Sequence, residues 1–321
     1  MKVLITGAAG FVGSHLVERY LADGETVIGV DNLCTGAREN VADALRSPAF
    51  TFIEADVSAD WSGILNALEG LDLVLHFASP ASPIDYEGLA LETMMVNSLG
   101  TQRCCEAAKL FGARLLYAST SECYGDPLEH PQNERYWGNV HSTGPRACYD
   151  ESKRYGEAYV ATFARKRDLD ARIIRIFNTY GPRMRADDGR VVPNFIGQAL
   201  RGEPLTIYGN GAQTRSFCYV SDLVEGITRV ANAPGESGTI TNLGNPEEHT
   251  IRAFAEIVSQ IAGVALHVVE RDLPIDDPKR RCPDITRARE RFGWEPVVAL
   301  RNGLQKTYEF FKESAPRAAA G

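Results

Sequence analysis

The chain has 321 residues, 44% of them hydrophobic and 24% charged, and a formal net charge of −8. That length supports a full core with one large or two modest domains, and an acidic chain without a basic stripe argues against a nucleic-acid partner. No apolar run approaches the ~20 residues that span a bilayer, and the chain enters a strand pattern at once with no signal-peptide pattern, so no membrane association is expected.

Residues 2–6 (KVLIT) are a β-rich apolar run, the pattern of a parallel strand buried on both faces. The run ends in Gly7-Ala8-Ala9-Gly10-Phe11-Val12-Gly13, whose glycines let the backbone turn and approach a pyrophosphate while helix amides point at it. A helix is predicted over 11–22, stopping at Asp23-Gly24. A second strand, 26–30, ends at Asp31. That carboxylate stands about 20 residues beyond the glycines, at the place of a ribose-binding acid. It favours NAD over NADP because it would repel a 2′-phosphate. Asn32, Thr35 and Gly36 follow it and are grouped with the cofactor.

The third strand, 50–54, leads to Asp56-Val57, which would flank the adenine. The fourth, 71–77 (LDLVLHF), runs into Ala78-Ser79-Pro80-Ala81-Ser82-Pro83. Two prolines predict a stiff loop at the carboxyl end of the sheet, where ligands bind in doubly wound folds. Phe77 and Ser79 are assigned to the cofactor, Pro83 and Tyr86 to the substrate. Residues 89–111 read as one long helix with mixed faces, packing on the sheet and on a partner subunit. The fifth strand, 113–119, delivers Thr120-Ser121-Glu122 to the cofactor edge. A polar loop, 124–146, precedes a helix bearing Tyr149 and Lys153.

Residues four apart share a helix face. A free tyrosine has a pKa near ~10 and is a poor base at neutral pH. A cation ~4 Å away at an effective dielectric of ~20 is worth roughly 4 kcal/mol, or about three pKa units. The pair therefore predicts a tyrosinate base, its pKa lowered by Lys153, aimed at a sugar or alcohol hydroxyl.

The sixth strand, 172–177, ends in Asn178-Thr179-Tyr180-Gly181-Pro182. Strand–helix alternation up to about residue 180 means an α/β fold with a Rossmann-type, doubly wound parallel sheet. Beyond it the pattern loosens into a helix at 192–200, strands at 205–208 and 215–220, and helices at 222–233 and 250–262. An irregular charged segment covers 271–284, and the tail 315–321 is expected to fray. We read 1–180, with later pieces from about 213–245, as the nucleotide-binding domain and 181–321 as mainly a smaller α/β substrate lobe. Seven cysteines without a C-x-x-C pair predict reduced thiols and a cytoplasmic location. Six histidines without ligand spacing predict no metal.

Gly7-x-x-Gly10-x-x-Gly13, Asp31 and Tyr149-x-x-x-Lys153 together resemble the extended short-chain dehydrogenase/reductase family, which binds NAD and acts on nucleotide sugars. The likeness covers nearly the whole chain through ASPASP at 78–83, TSECYGDP at 120–127, GPRACYDE at 144–151, NTYGPRM at 178–184 and DGRVVPNF at 188–195. It continues in GEPLTIYG at 202–209, QTRSF at 213–217 and NLGNPEEHTI at 242–251. These strings are similar to the branch of the family that decarboxylates UDP-glucuronate to UDP-xylose.

The resemblance implies a functional set of Thr120, Glu122, Tyr149, Lys153 and Arg281, the last from RCPD at 281–284. It implies Thr179 and Arg190 near the cofactor, and Asn178, Tyr208 and Arg215 near the UDP-sugar, where the arginine fork suits a diphosphate. It also implies a homodimer through the 89–111 and 149–166 helices. An ion pair with Asp276 or Asp277 is the bland alternative for Arg281. Two positions depart from the pattern. Met95 stands where relatives have a lysine near the expected sugar-nucleotide site, and His141-Ser142 where they have Asn-Pro. Ser121 replaces the aspartate of relatives that eliminate water, so dehydration lacks its acid. UDP-glucuronate 4-epimerisation and a non-catalytic NAD sensor are the alternatives.

Overall fold

Val3, Leu4, Ile5 and Thr6 are all buried, as a strand covered on both faces requires. A computed structural model describes residues 1–66, 68–272 and 280–314. In chain order it gives β1 (Lys2–Thr6), α1 (Phe11–Ala22), β2 (Thr26–Asp31), β3 (Phe50–Glu54), α2 (Ser62–Asn66), β4 (Leu73–His76), α3 (Pro83–Gly88), α4 (Ala90–Met95) and α5 (Thr101–Phe111). Next come β5 (Arg114–Thr120), α6 (Ala147–Arg167), β6 (Ala171–Ile176), β7 (Thr179–Tyr180), α7 (Val191–Arg201), β8 (Leu205–Tyr208), β9 (Thr214–Ser216) and β10 (Cys218–Tyr219). The remainder is α8 (Val220–Asn232), β11 (Ile240–Leu243), β12 (Glu248–Thr250), α9 (Ile251–Ala262), β13 (Val268–Arg271), α10 (Thr286–Phe292) and α11 (Leu300–Ser314).

Seven of these strands form a parallel sheet in the order β11-β6-β5-β4-β1-β2-β3. The expected doubly wound α/β architecture is therefore present. The order reverses between β1 and β4, and a crevice opens beyond their carboxyl ends, the position at which such sheets bind ligands. On one face of the sheet, Leu4, Val74, Cys104, Tyr117 and Val160 share a core. On the other, one apolar cluster continues from Val3 and Ile5 through Leu16 to Phe195, Phe254 and Leu304. Phe217 stacks on Phe254 with centroids 4.5 Å apart.

Several elements differ from their predicted form. The 89–111 helix is interrupted by a wider π-type turn at Val96–Gly100. The stiff loop before it ends in a short helix, because the Ser82 hydroxyl accepts the Asp85 amide and Pro83 sits in the first turn. The 215–220 run is split at Phe217. Its first half pairs antiparallel with β12 and its second half parallel with β7, so the chain must turn between partners. The α10 and α11 helices were not predicted. They fold back where Trp294 Nε1 donates to the Asp222 carbonyl at 2.8 Å and Tyr180 Oη donates to the Leu300 carbonyl at 3.1 Å.

Candidate active site

The crevice is one cavity of about 600 Å³ that extends from the glycine turn to Arg281. At its first end, Gly10 N donates to the Gly7 carbonyl at 3.1 Å. A Cβ at Gly13 would stand 1.9 Å from that same oxygen, so the turn closes only on glycine. No side chain caps α1, which leaves the leading amides at Phe11 and Val12 for an anion. Asp31 Oδ2 accepts the Ala9 amide at 2.9 Å, and Oδ1 accepts the Leu33 amide at 2.8 Å. Burial pushes its carboxyl above the usual range, against the pull of those amides.

Asn32 Nδ2 reaches Asp56 Oδ2 at 3.3 Å, tying the ends of β2 and β3. Thr35, Val57, Phe77 and Ser79 line the cavity beside them. Asn97 Nδ2 donates to Ser79 Oγ and to Ser152 Oγ, each at 3.1 Å, and so fixes the post-β4 loop to α6. The close-packed glycine turn, the uncapped helix and the buried carboxylate fit a dinucleotide such as NAD.

Thr120 ends β5, and its Oγ1 accepts the Glu122 amide at 3.2 Å. Tyr149 and Lys153, one turn apart on α6, are both buried. Lys153 Nζ donates to the Ala118 carbonyl at 2.9 Å and lies 5.8 Å from the Tyr149 ring centroid. Tyr86, from α3, stacks on the other side of the site with its ring 4.8 Å from that of Tyr149 and tilted by 9°. The predicted lowering of the Tyr149 pKa is not found. Burial pushes the phenol well above its ordinary value, the Thr120 hydrogen bond acts in the opposite direction, and Glu122 adds to the rise. The same burial brings the Lys153 ammonium down to about 8. Helix spacing predicted the neighbours but not the dryness around them.

Glu122 lies in a single helical turn, Ser121–Tyr124, directly after β5. One carboxylate oxygen accepts from Arg281 Nη1. The other accepts from Arg146 Nη2 at 2.6 Å. Burial opposes the charge of Glu122, but Arg281 and Arg146 outweigh it and hold the carboxyl below its usual value. The neighbouring Asp150 is buried, with Oδ1 lacking a hydrogen-bond partner. Burial and the Glu122 charge push it up to about 7. Arg281 is itself buried, and its ion-pair partner among the described residues is Glu122. Asp276 and Asp277 lie outside the described residues.

At the far end, Pro83, Tyr86, Asn178, Thr179, Tyr208 and Arg215 line the same cavity. Arg190 lines it too, with Nε and Nη2 on Asp188 Oδ2 at 2.8 and 2.5 Å. Of the residues predicted from sequence, Gly36 alone is not part of the lining; it packs behind the Asp31 carboxylate. Met95 is exposed on α4 and also outside the lining, so the missing lysine does not face this cavity as expected. Sequence reasoning missed Arg146 and Asn97. Arg146 precedes Tyr149 by three residues, and that helix-start spacing could have flagged it. His76 is a core histidine, bonded to Thr6 and Thr101 and held neutral, its pKa brought to about 3 by burial.

Fold and cavity together describe an NAD-dependent enzyme of the doubly wound class. The chain belongs to the NAD dependent epimerase/dehydratase family, whose sequence profile matches residues 3–244. Among curated relatives it is similar to UDP-glucuronic acid decarboxylase 2 of Arabidopsis thaliana, 49% identical over 313 residues covering 98% of this chain and 68% of that protein. It is also similar to UDP-glucuronic acid decarboxylase 1 of Danio rerio, 47% identical over 318 residues covering 99% and 74% of the two chains. Among solved structures it resembles UDP-glucuronic acid 4-epimerase from Bacillus cereus in complex with UDP-glucuronic acid and NAD. That match has a TM-score of 0.88 at 29% identity and covers 98% of this chain and 99% of the other.

Proposed function

We propose that the protein converts UDP-glucuronate to UDP-xylose and carbon dioxide, with NAD retained and not consumed. The observation that carries this reading is the Arg281–Glu122–Arg146 assembly beside Thr120 and Tyr149. An alcohol-oxidising group is joined there to a paired carboxylate and guanidinium that C4 epimerisation has no evident use for. The near-full-length likeness to proteins named UDP-glucuronic acid decarboxylase supports the same substrate.

Glucuronate holds its carboxylate on C5, next to C4. A carbonyl at C4 is β to that carboxylate and gives the electron pair of the C5–C6 bond an oxygen to flow into. NAD, which the glycine cradle and Asp31 would hold, would supply a hydride acceptor for C4 and the donor for its return. Tyr149 Oη takes the C4 hydroxyl proton and later gives it back. Thr120 Oγ1 donates a hydrogen bond to the C4 oxygen as charge gathers on it. Lys153 favours the phenolate of Tyr149 against the cost of burial. A tight ground-state clamp by Arg281 on the departing carboxylate would slow its loss, since only stronger transition-state binding accelerates a step. Arg281, fixed by Glu122, instead positions the sugar or the water that protonates C5.

The direct test is incubation with UDP-glucuronate and no added reductant. UDP-xylose and carbon dioxide are expected in equal amounts; UDP-galacturonate without carbon dioxide would establish the epimerase in its place. Arg281→Ala is expected to lower turnover by about 100-fold or more while NAD stays bound, and near-normal turnover would refute its role. The exposed apolar side chains Leu91, Met94 and Met95 on α4 and Tyr155 on α6 support a homodimer through these helices. Seven cysteines, none in a disulfide, support a reducing cytoplasmic setting, which cell fractionation would check.

A further inference from the structure

Behind Arg281, away from the cavity, three chain segments meet at His130, Glu248 and Cys282. One nitrogen, oxygen or sulfur atom from each lies within 4.8 Å of the other two. His130 Nε2 is 2.9 Å from Glu248 Oε2. The other Glu248 oxygen accepts the Thr214 hydroxyl at 2.6 Å, which orients the carboxylate toward the group. The Cys282 amide donates to Gln132 Oε1 at 2.9 Å, and the Cys282 carbonyl accepts the Gln132 amide at 2.9 Å. That exchange holds the cysteine against the loop that bears His130. The Ser216 hydroxyl donates to the Arg281 carbonyl at 3.2 Å and steadies the segment from the β9 side.

We propose that His130, Glu248 and Cys282 form a binding site for a divalent ion of the zinc class. Imidazole, carboxylate and thiolate are the donors such ions take, at about 2.0–2.3 Å in a tetrahedral arrangement. One carboxylate and one thiolate balance the double charge, and the thiol proton leaves to solvent as the sulfur binds. His130 is exposed, so water reaches the fourth position. The Thr214–Glu248 bond supplies the outer-shell support that tunes metal affinity. The ligands are drawn from separate segments, the first two 118 positions apart in sequence, so no local spacing could reveal them. Since Cys282 directly follows Arg281, a bound ion would anchor the residue that reaches Glu122, whichever sugar the cavity accepts.

The test uses the full chain, stripped with chelator, kept reduced, and titrated with Co²⁺. One ion per chain is expected, with a thiolate-to-cobalt charge-transfer band that Zn²⁺ abolishes by displacement. Cys282→Ser should lose the band, while Cys34→Ser, at an exposed thiol elsewhere, should keep it. His130→Ala, at a surface position that spares the fold, and Thr214→Val should each weaken Co²⁺ binding by about 10-fold or more. No band in the unaltered protein, a band surviving in Cys282→Ser, or unchanged affinity in His130→Ala would overturn the assignment.

Discussion

Lys153 sits in the dry interior of the site with one backbone carbonyl as its hydrogen-bond partner. Its value of about 8 lies below the ordinary 10.5, so between those values the unfolded chain binds more protons than the folded one. Stability of the ligand-free protein therefore rises as pH climbs from about 8 to about 10.5, and that gain is lost as pH falls back through 8. Below the window the buried ammonium costs on the order of 3 kcal/mol, less whatever its bond to Ala118 returns. Lys153→Met is accordingly expected to abolish turnover yet raise the melting temperature at pH 7 by a few degrees. An unchanged or lowered melting temperature would show that the ammonium is not strained in this way. The Tyr149–Lys153 pair was legible because helical spacing is local. The direction of the Tyr149 shift was not, because burial depends on Tyr86, Thr120 and Glu122, which arrive from other parts of the chain.

At the level of elements, the site depends on how closely α6 lies on β5. A Cβ at Gly156 would fall 2.1 Å from Tyr117 Oη, and that hydroxyl donates to the Lys153 carbonyl at 3.5 Å. Gly156→Ala must push the helix outward and draw Tyr149 away from Thr120. The expected result is a loss of about 1–3 kcal/mol in stability with a lower kcat, read by chemical denaturation and steady-state rates. Gly63→Ala, where nothing lies within 4 Å, is the neutral control, and equal behaviour of the two variants would dismiss the packing argument. Strands β1, β2, β4, β5 and β6 were legible because parallel strands buried on both faces leave largely apolar runs, while β3, at the sheet edge and partly exposed, showed only as a short β-rich run. The divided run at 214–219 was not, because its halves answer to different partners and an apolar string does not record where a partner changes.

For the molecule as a whole, α4, α5 and α6 leave several large apolar side chains exposed among the described residues. Leu91 is 74% exposed and Leu110 66% exposed, while Gln102 Nε2 donates to Tyr155 Oη on the same side. A Leu91→Glu substitution would place a charge on the face proposed for self-association and is expected to weaken that association by about 10-fold or more. Sedimentation velocity against concentration measures this, and an unaltered association state would refute the proposed face. Arg281 shows the limit of spacing at this scale. It meets Glu122 from 159 residues away, and only likeness across the full chain pointed to it.

That separation also orders events during synthesis. Thr120, Tyr149 and Lys153 emerge from the ribosome well before the segment that pairs with Gln132 and brings Arg281 to Glu122. A growing chain thus gathers its hydroxyl-handling side chains first and receives its buried guanidinium last. Whatever chemistry needs both halves is withheld from every copy that has not yet extended past Arg281.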